Sequence, residues 1–148
     1  MPFCRRKCPY CNFYSVPAQP ELLTAYAAAV CRNLRHYGNA AQPERVDTVY
    51  FGGGTPSLLL PAQIAQILET AAEQFALSAD AEITLEANPA TVTPEQLREL
   101  RHAGINRISL GVQSLSDAQL KRLGRLHTAQ EAVETVYAAA EAGFRNLS

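Results

Sequence analysis

Cys4, Cys8 and Cys11 stand within eight residues of one another, in the run Cys4-Arg5-Arg6-Lys7-Cys8-Pro9-Tyr10-Cys11. The spacing, three residues and then two, puts three thiolates on one short loop and supplies no fourth. A closed structural zinc site takes four ligands, often from two separated Cys-x2-Cys pairs. An iron–sulfur cube takes one ligand per iron, so three cysteines leave one iron open to something other than protein. An open corner of that kind implies chemistry on a bound small molecule. From the triplet alone two other readings stay open: zinc, with His36, His102 or His127 as a distant fourth ligand, and inert thiols. A disulfide framework does not suit it, because Cys4 and Cys8 share one loop and nothing in the sequence looks like a secretory signal.

The neighbouring residues narrow the choice. Met1-Pro2-Phe3 leads into the triplet and Asn12-Phe13-Tyr14-Ser15 follows it. Downstream come Phe51-Gly52-Gly53-Gly54-Thr55-Pro56-Ser57, Leu85-Glu86-Ala87-Asn88-Pro89 and Leu110-Gly111-Val112-Gln113-Ser114. In order and spacing this set resembles the radical S-adenosylmethionine enzymes, over almost the whole chain. Within them it is similar to the branch of oxygen-independent coproporphyrinogen III dehydrogenases and their haem-chaperone relatives.

The resemblance implies cofactors and roles. Cys4, Cys8 and Cys11 would hold a 4Fe-4S cluster, and S-adenosyl-L-methionine would chelate the open iron through its amino and carboxylate groups. One electron from an external donor, passed through the cluster, would then cleave the sulfonium to a 5′-deoxyadenosyl radical. Gly53, Gly54 and Thr55 resemble the loop that contacts the methionyl part, and Tyr10 the aromatic that precedes the third cysteine. Glu86, Gln113 and Arg125 align with polar positions that bind S-adenosylmethionine. Lys7 and its two arginine neighbours would ease thiol deprotonation.

Structural alternatives accompany several of these residues. Glycines after a strand often only make a turn, although here the Lys-Ser/Thr ending of a phosphate loop is missing. Tyr10 suits core packing beside the cysteines. Glu86 closes an apolar strand, where a carboxylate needs a partner, and a salt bridge across the barrel mouth would also serve. His127 precedes a capping threonine and suits loop support, and His36 and His102 read as surface residues. Cys31 falls on or beside the apolar face of a helix and reads as core.

Phe13 bears on the branch. The dehydrogenases usually carry a further cysteine at that position, and the haem-chaperone relatives do not. Leu123-Gly124-Arg125-Leu126-His127 also resembles the chaperones. The resemblance therefore implies a haem chaperone first and a dehydrogenase second, with haem or porphyrin, an electron donor and an unidentified haem acceptor as partners. A zinc-stabilised binding module is a third reading.

Composition sets outer limits. A chain of 148 residues, 47% of them apolar, can bury one core. A net charge of −1 with interspersed signs gives no basic field for nucleic acid. No apolar run reaches the roughly 18 residues of a spanning helix. Four cysteines fit a reducing, cytoplasmic setting.

The elements that must position the site alternate between strand and helix. Pro20 opens a helix with Leu23, Ala27, Val30, Leu34 and Tyr37 at helical spacing up to Gly38. Val46 to Phe51 reads as a strand ending in the glycines. Pro61 opens a helix with Ile64, Ile67, Leu68, Ala71 and Phe75 on one face, and Glu82 to Ala87 reads as the next strand. Thr93 and Gln96 make a capping box for a helix closing at Gly104. Arg107 to Val112 is a strand, with Arg125 after a short loop. Thr128 and Glu131 cap the last helix, with Val133, Val136, Tyr137 and Ala140 expected inward. Phe144 to Ser148 begins a further strand.

Such alternation gives parallel strands with right-handed crossovers and a site at their C-terminal ends. The expected fold is α/β, a partial (β/α) TIM-type barrel of the radical SAM kind, truncated at both ends. One domain, 1–148, would lack most of its first strand, the later barrel units and the C-terminal domain that family members carry. An open barrel would leave strand edges and apolar faces uncovered.

Overall fold

The computed structural model describes residues 1–38 and 45–148. Two short strands, β1 (Phe3–Cys4) and β2 (Val16–Pro17), pair in parallel and clamp the ends of the cysteine loop. The Val16 N–H donates to Pro2 O at 2.8 Å and the Ala18 N–H to Cys4 O at 2.9 Å. The main sheet is parallel throughout, in the order β3 (Arg45–Phe51), β4 (Ala76–Ala87), β5 (Arg107–Leu110), β6 (Asn146–Leu147). Helices α1 (Pro20–Gly38), α2 (Pro61–Gln74), α3 (Pro94–His102), the short α4 (Asp117–Arg122) and α5 (Ala129–Glu141) make the connections. This is the α/β arrangement of a partial (β/α) barrel.

Local chemistry accounts for most boundaries. Pro61 and Pro94 occupy first turns, where a missing N–H costs nothing. The Thr93 hydroxyl accepts from the Gln96 N–H at 3.2 Å, and Thr128 does the same for Glu131 at 3.2 Å, so both capping boxes form. Ile64, Leu85, Leu97, Ile105 and Ile108 fill the core between sheet and helices, together with Cys31.

Four expectations need correction. Strand β4 begins at Ala76, six residues before Glu82, because Ala76 and Leu77 pair with Arg45 and Val46 across a register shift. Pairing there overrides the turn-like Ser78-Ala79-Asp80. Strand β5 ends at Leu110, since the Gly111 N–H turns to Ala87 O at 2.8 Å and Gln113 adopts φ 66°. Arg125 follows helix α4 rather than a bare loop. Finally, α5 turns Ala132, Thr135 and Ala139 to the core and leaves Val133, Val136, Tyr137 and Ala140 exposed. Small side chains let the helix backbone lie close to its neighbours, which larger ones would prevent. Tyr37 is likewise exposed, at the outer end of α1.

Candidate cofactor site

The ends of β3, β4 and β5 carry the glycine loop, Glu86 with Asn88, and Gly111 with Gln113, and the cysteine loop lies over them. A cavity of about 350 Å³ opens between loop and strand ends. The residues that the resemblance assigns to the cofactors line it: the three cysteines, Tyr10, the Gly53–Thr55 loop, Glu86, Gln113 and Arg125. Residues 115 apart in sequence, Tyr10 and Arg125, meet there.

The cysteine loop is docked by backbone. The Gly54 N–H donates to Met1 O at 2.6 Å, and the Met1 amino group donates to Gly52 O at 2.7 Å. A Cβ on Gly54 would lie 2.5 Å from Phe3 O, and one on Gly53, whose φ is +106°, would lie 2.6 Å from Met1 O. The space left by these missing side chains is therefore filled by the strand that leads into Cys4, not by open room for a ligand.

Thr55 is buried, and its hydroxyl donates to Cys4 Sγ at 3.5 Å. Arg125 Nη1 donates to Cys8 Sγ at 3.8 Å and to the Tyr10 hydroxyl at 3.4 Å. Arg125 Nη2 donates to Gly111 O at 2.6 Å and to Asn88 Oδ1. The cation bonded to a cysteine sulfur is thus Arg125. Arg5 donates to Ala90 O at 2.6 Å and Lys7 to Phe13 O at 3.1 Å, and both line the cavity with the cysteines. Desolvation raises the Tyr10 pKa above the ordinary phenol value, against the opposing pull of Arg125.

Glu86 has both oxygens engaged. Oε1 accepts from the Tyr50 hydroxyl at 2.7 Å and Oε2 from the Gly53 N–H at 3.1 Å. The Tyr50 phenol is held above its ordinary pKa, chiefly by that hydrogen bond to a carboxylate. No salt bridge across the barrel mouth is made by Glu86 among the described residues. Gln113 lies on the rim in the left-handed region, a strained choice for a residue with a side chain and one that collects at functional sites.

His127 reaches the cavity wall but is only 4% exposed, and its Nε2 donates to Val112 O at 3.0 Å. Burial lowers its pKa, more than that hydrogen bond raises it. His36 and His102 are exposed on α1 and α3 and do not line the cavity. Cys31 is buried, 3.9 Å from Gln66 O, and also lies outside it.

Two residues were not singled out from the sequence: Asn88 and Tyr50. Asn88 does sit between a strand end and a proline, a position that favours side-chain to backbone turns. Tyr50 carries no local signal.

The donor set fits an iron–sulfur cube. All four cysteines are free, and the three on the loop face one cavity with hydrogen-bond donors already aimed at two of the sulfurs. Among the described residues no three His, Cys, Asp or Glu side chains are grouped around the place of one metal ion. A cube asks for less convergence than a single ion, since each thiolate takes a different iron. The same cavity is lined by the fixed Glu86 carboxylate and by the Arg125 guanidinium, charges of both signs that suit an amino-acid-bearing sulfonium.

Comparison with known proteins agrees. The model of the Radical SAM superfamily matches residues 1–148. "Heme chaperone HemW" of Escherichia coli (strain K12) is 42% identical over 149 residues, covering 100% of this chain and 39% of that protein. "Radical S-adenosyl methionine domain-containing protein 1, mitochondrial" of Mus musculus is 43% identical over 136 residues, covering 91% of this chain and 30% of that protein. Among solved structures, coproporphyrinogen III oxidase (HemN) from Escherichia coli superimposes with a TM-score of 0.90 at 28% identity, over 99% of this chain and 34% of that one. The chain thus spans between 30% and 39% of these curated relatives.

Proposed function

The chain belongs to the radical SAM superfamily, whose cofactors are a 4Fe-4S cluster and S-adenosylmethionine, and on that premise we propose that it is the radical SAM core of a haem chaperone. In this reading Cys4, Cys8 and Cys11 each hold one iron and leave the fourth to S-adenosylmethionine. When bound, the cluster supplies single electrons, drawn from an external donor, to the sulfonium of that ligand. Gly53, Gly54 and Thr55 line the wall at its methionyl end. Glu86, fixed by Tyr50 and Gly53, with Gln113 and Arg125, lines the remaining wall, and Tyr10 closes the cavity beside Cys8. Haem is the cargo, delivered to an acceptor protein. Four free cysteines call for a reducing compartment such as the cytoplasm; among the described residues no helix is long and apolar enough to cross a membrane.

The observation that carries the reading is the match, over this entire chain, to a relative named as a haem chaperone; Phe13 also stands where the dehydrogenases usually carry a further cysteine. Phe13 is exposed on the cavity rim, so a ligand at that position would be sterically available and is not supplied. The second reading, a coproporphyrinogen III dehydrogenase, is favoured by the superposition on HemN.

The test uses the protein at the full length of its relatives. It is expected to bind haem in an absorbance titration and to leave coproporphyrinogen III unconverted under anaerobic, reducing conditions with S-adenosylmethionine. Phe13→Cys alone is expected to create no turnover. Robust formation of protoporphyrinogen IX by the unaltered protein would make the dehydrogenase reading correct.

A further inference from the structure

Asn88 stands just beyond the C-terminal end of β4, and its side-chain amide faces two ways. Nδ2 donates to Thr55 Oγ1 at 3.1 Å, and Oδ1 accepts from Arg125 Nη2. Thr55 Oγ1 donates to Cys4 Sγ at 3.5 Å and Arg125 Nη1 donates to Cys8 Sγ at 3.8 Å. The bonds therefore run from one cysteine sulfur to another through three side chains, with Asn88 in the middle.

Direction matters in such a chain. A hydroxyl that accepts from an amide N–H has its own proton left to give, and here the sulfur of Cys4 receives it. The backbone that carries this amide is itself held in place. The Asn88 N–H donates to Thr91 Oγ1 at 3.2 Å, the Thr91 N–H returns to Asn88 O at 2.9 Å, and Thr91 Oγ1 shares a hydrogen bond with Ser57 Oγ at 2.6 Å. On the far side a Cβ at Gly111 would lie 2.6 Å from Asn88 Oδ1, so only glycine leaves room for the amide to reach Arg125.

We propose that Asn88 is a positioning residue of the iron–sulfur site: it sets the direction of the hydrogen bond that reaches Cys4, holds in place the guanidinium that donates to Cys8, and thereby raises the reduction potential of the cluster they hold. The proposal rests on the reading of these cysteines as cluster ligands. Hydrogen bonds to ligand sulfurs offset the extra negative charge of the reduced state, and cluster potentials follow them. Asparagine is required for the task. Aspartate, of the same shape, would still accept from Arg125, but it would also accept from Thr55 and draw that hydroxyl away from Cys4.

The experiment is a redox titration followed by EPR on the full-length, anaerobically reconstituted protein and its variants Asn88→Asp, Thr55→Val and the double variant. Asn88→Asp and Thr55→Val are each expected to lower the midpoint potential and to keep full iron content. In the Thr55→Val background the Asn88→Asp shift should largely vanish, because the bond it reverses is already gone. An Asn88→Asp shift of equal size in both backgrounds would mark a simple charge effect and overturn the proposal. A midpoint unmoved by Asn88→Asp, or loss of the cluster in that variant despite Arg125 remaining paired, would overturn it as well. Failure of the unaltered protein to assemble a cluster would instead sink the underlying reading of the cysteines.

Discussion

Tyr50 and Glu86, on neighbouring strands β3 and β4, are joined by a 2.7 Å hydrogen bond from phenol to carboxylate at the mouth of the cavity. With the Gly53 N–H on the other oxygen, the carboxylate is fixed in plane before any ligand arrives. Tyr50→Phe removes one of the two fixings and nothing else of comparable size. It is expected to weaken S-adenosylmethionine binding by about 1 kcal/mol, roughly fivefold, in a calorimetric titration of the reconstituted full-length protein. In a Glu86→Ala background the same change should have little effect, and an undiminished effect there would show that Tyr50 acts by another route.

Gly54 faces the backbone of Phe3. An added Cβ meets Phe3 O at 2.5 Å and Phe3 N at 2.9 Å, neither of which can rotate away. Gly54→Ala should therefore displace β1 and cost about 1–3 kcal/mol, as overpacking does. Iron uptake should fall sharply while far-ultraviolet circular dichroism stays close to that of the unaltered protein. Full iron uptake by this variant would show that β1 has room to shift without disturbing the cysteines.

The four cysteines divide cleanly. Cys4, Cys8 and Cys11 face the cavity, and Cys31 packs between α1 and α2. Replacement of any one of the first three by alanine should abolish the cluster, measured as iron and acid-labile sulfide per chain. Cys31→Ala should retain nearly all of it, with only a modest fall in melting temperature. Loss of iron in the Cys31 variant would overturn the assignment.

His127 gives the fold a pH dependence of known sign. Burial holds its folded pKa below the ordinary imidazole value, so below about pH 6.5 the unfolded chain binds more protons than the folded one. The contribution is complete above about pH 6.5 and is lost as pH falls toward the folded value. Glu131, lowered by its hydrogen bonds to Thr128, has its own loss in a separate window, below about pH 4.5. Thermal melts of the cluster-free protein between pH 8 and pH 5 should show the first loss, and His127→Gln should flatten it. An unchanged slope in that variant would remove His127 from the account.

What the sequence disclosed was local. The cysteine spacing, the glycines after β3 and the two capping boxes are each written within a few residues, and each stands where it was expected. The roles of Tyr50 and Asn88 depend on partners 36 and 37 residues away, Glu86 and Arg125, so no local pattern carries them. On α5 valine and tyrosine outrank alanine in hydrophobicity, whereas close packing selects Ala132 and Ala139 for the inward face. The first half of β4 carries a turn-like signal in Ser78-Ala79-Asp80, which the β3 pairing of Ala76 and Leu77 before it and of Glu82 after it overrides. The glycine loop was placed correctly, yet the reason for its glycines, the backbone of Met1 and Phe3, became visible only with the fold.

The central claim is a cube with one iron left open to S-adenosylmethionine. It is tested most directly by the EPR spectrum of the reduced cluster in the full-length protein, loaded to about four irons and four sulfides per chain, before and after addition of S-adenosylmethionine. The expected result is a clear change in the spectrum, weakened by Glu86→Ala. A fully loaded cluster whose spectrum is the same with and without S-adenosylmethionine would contradict it.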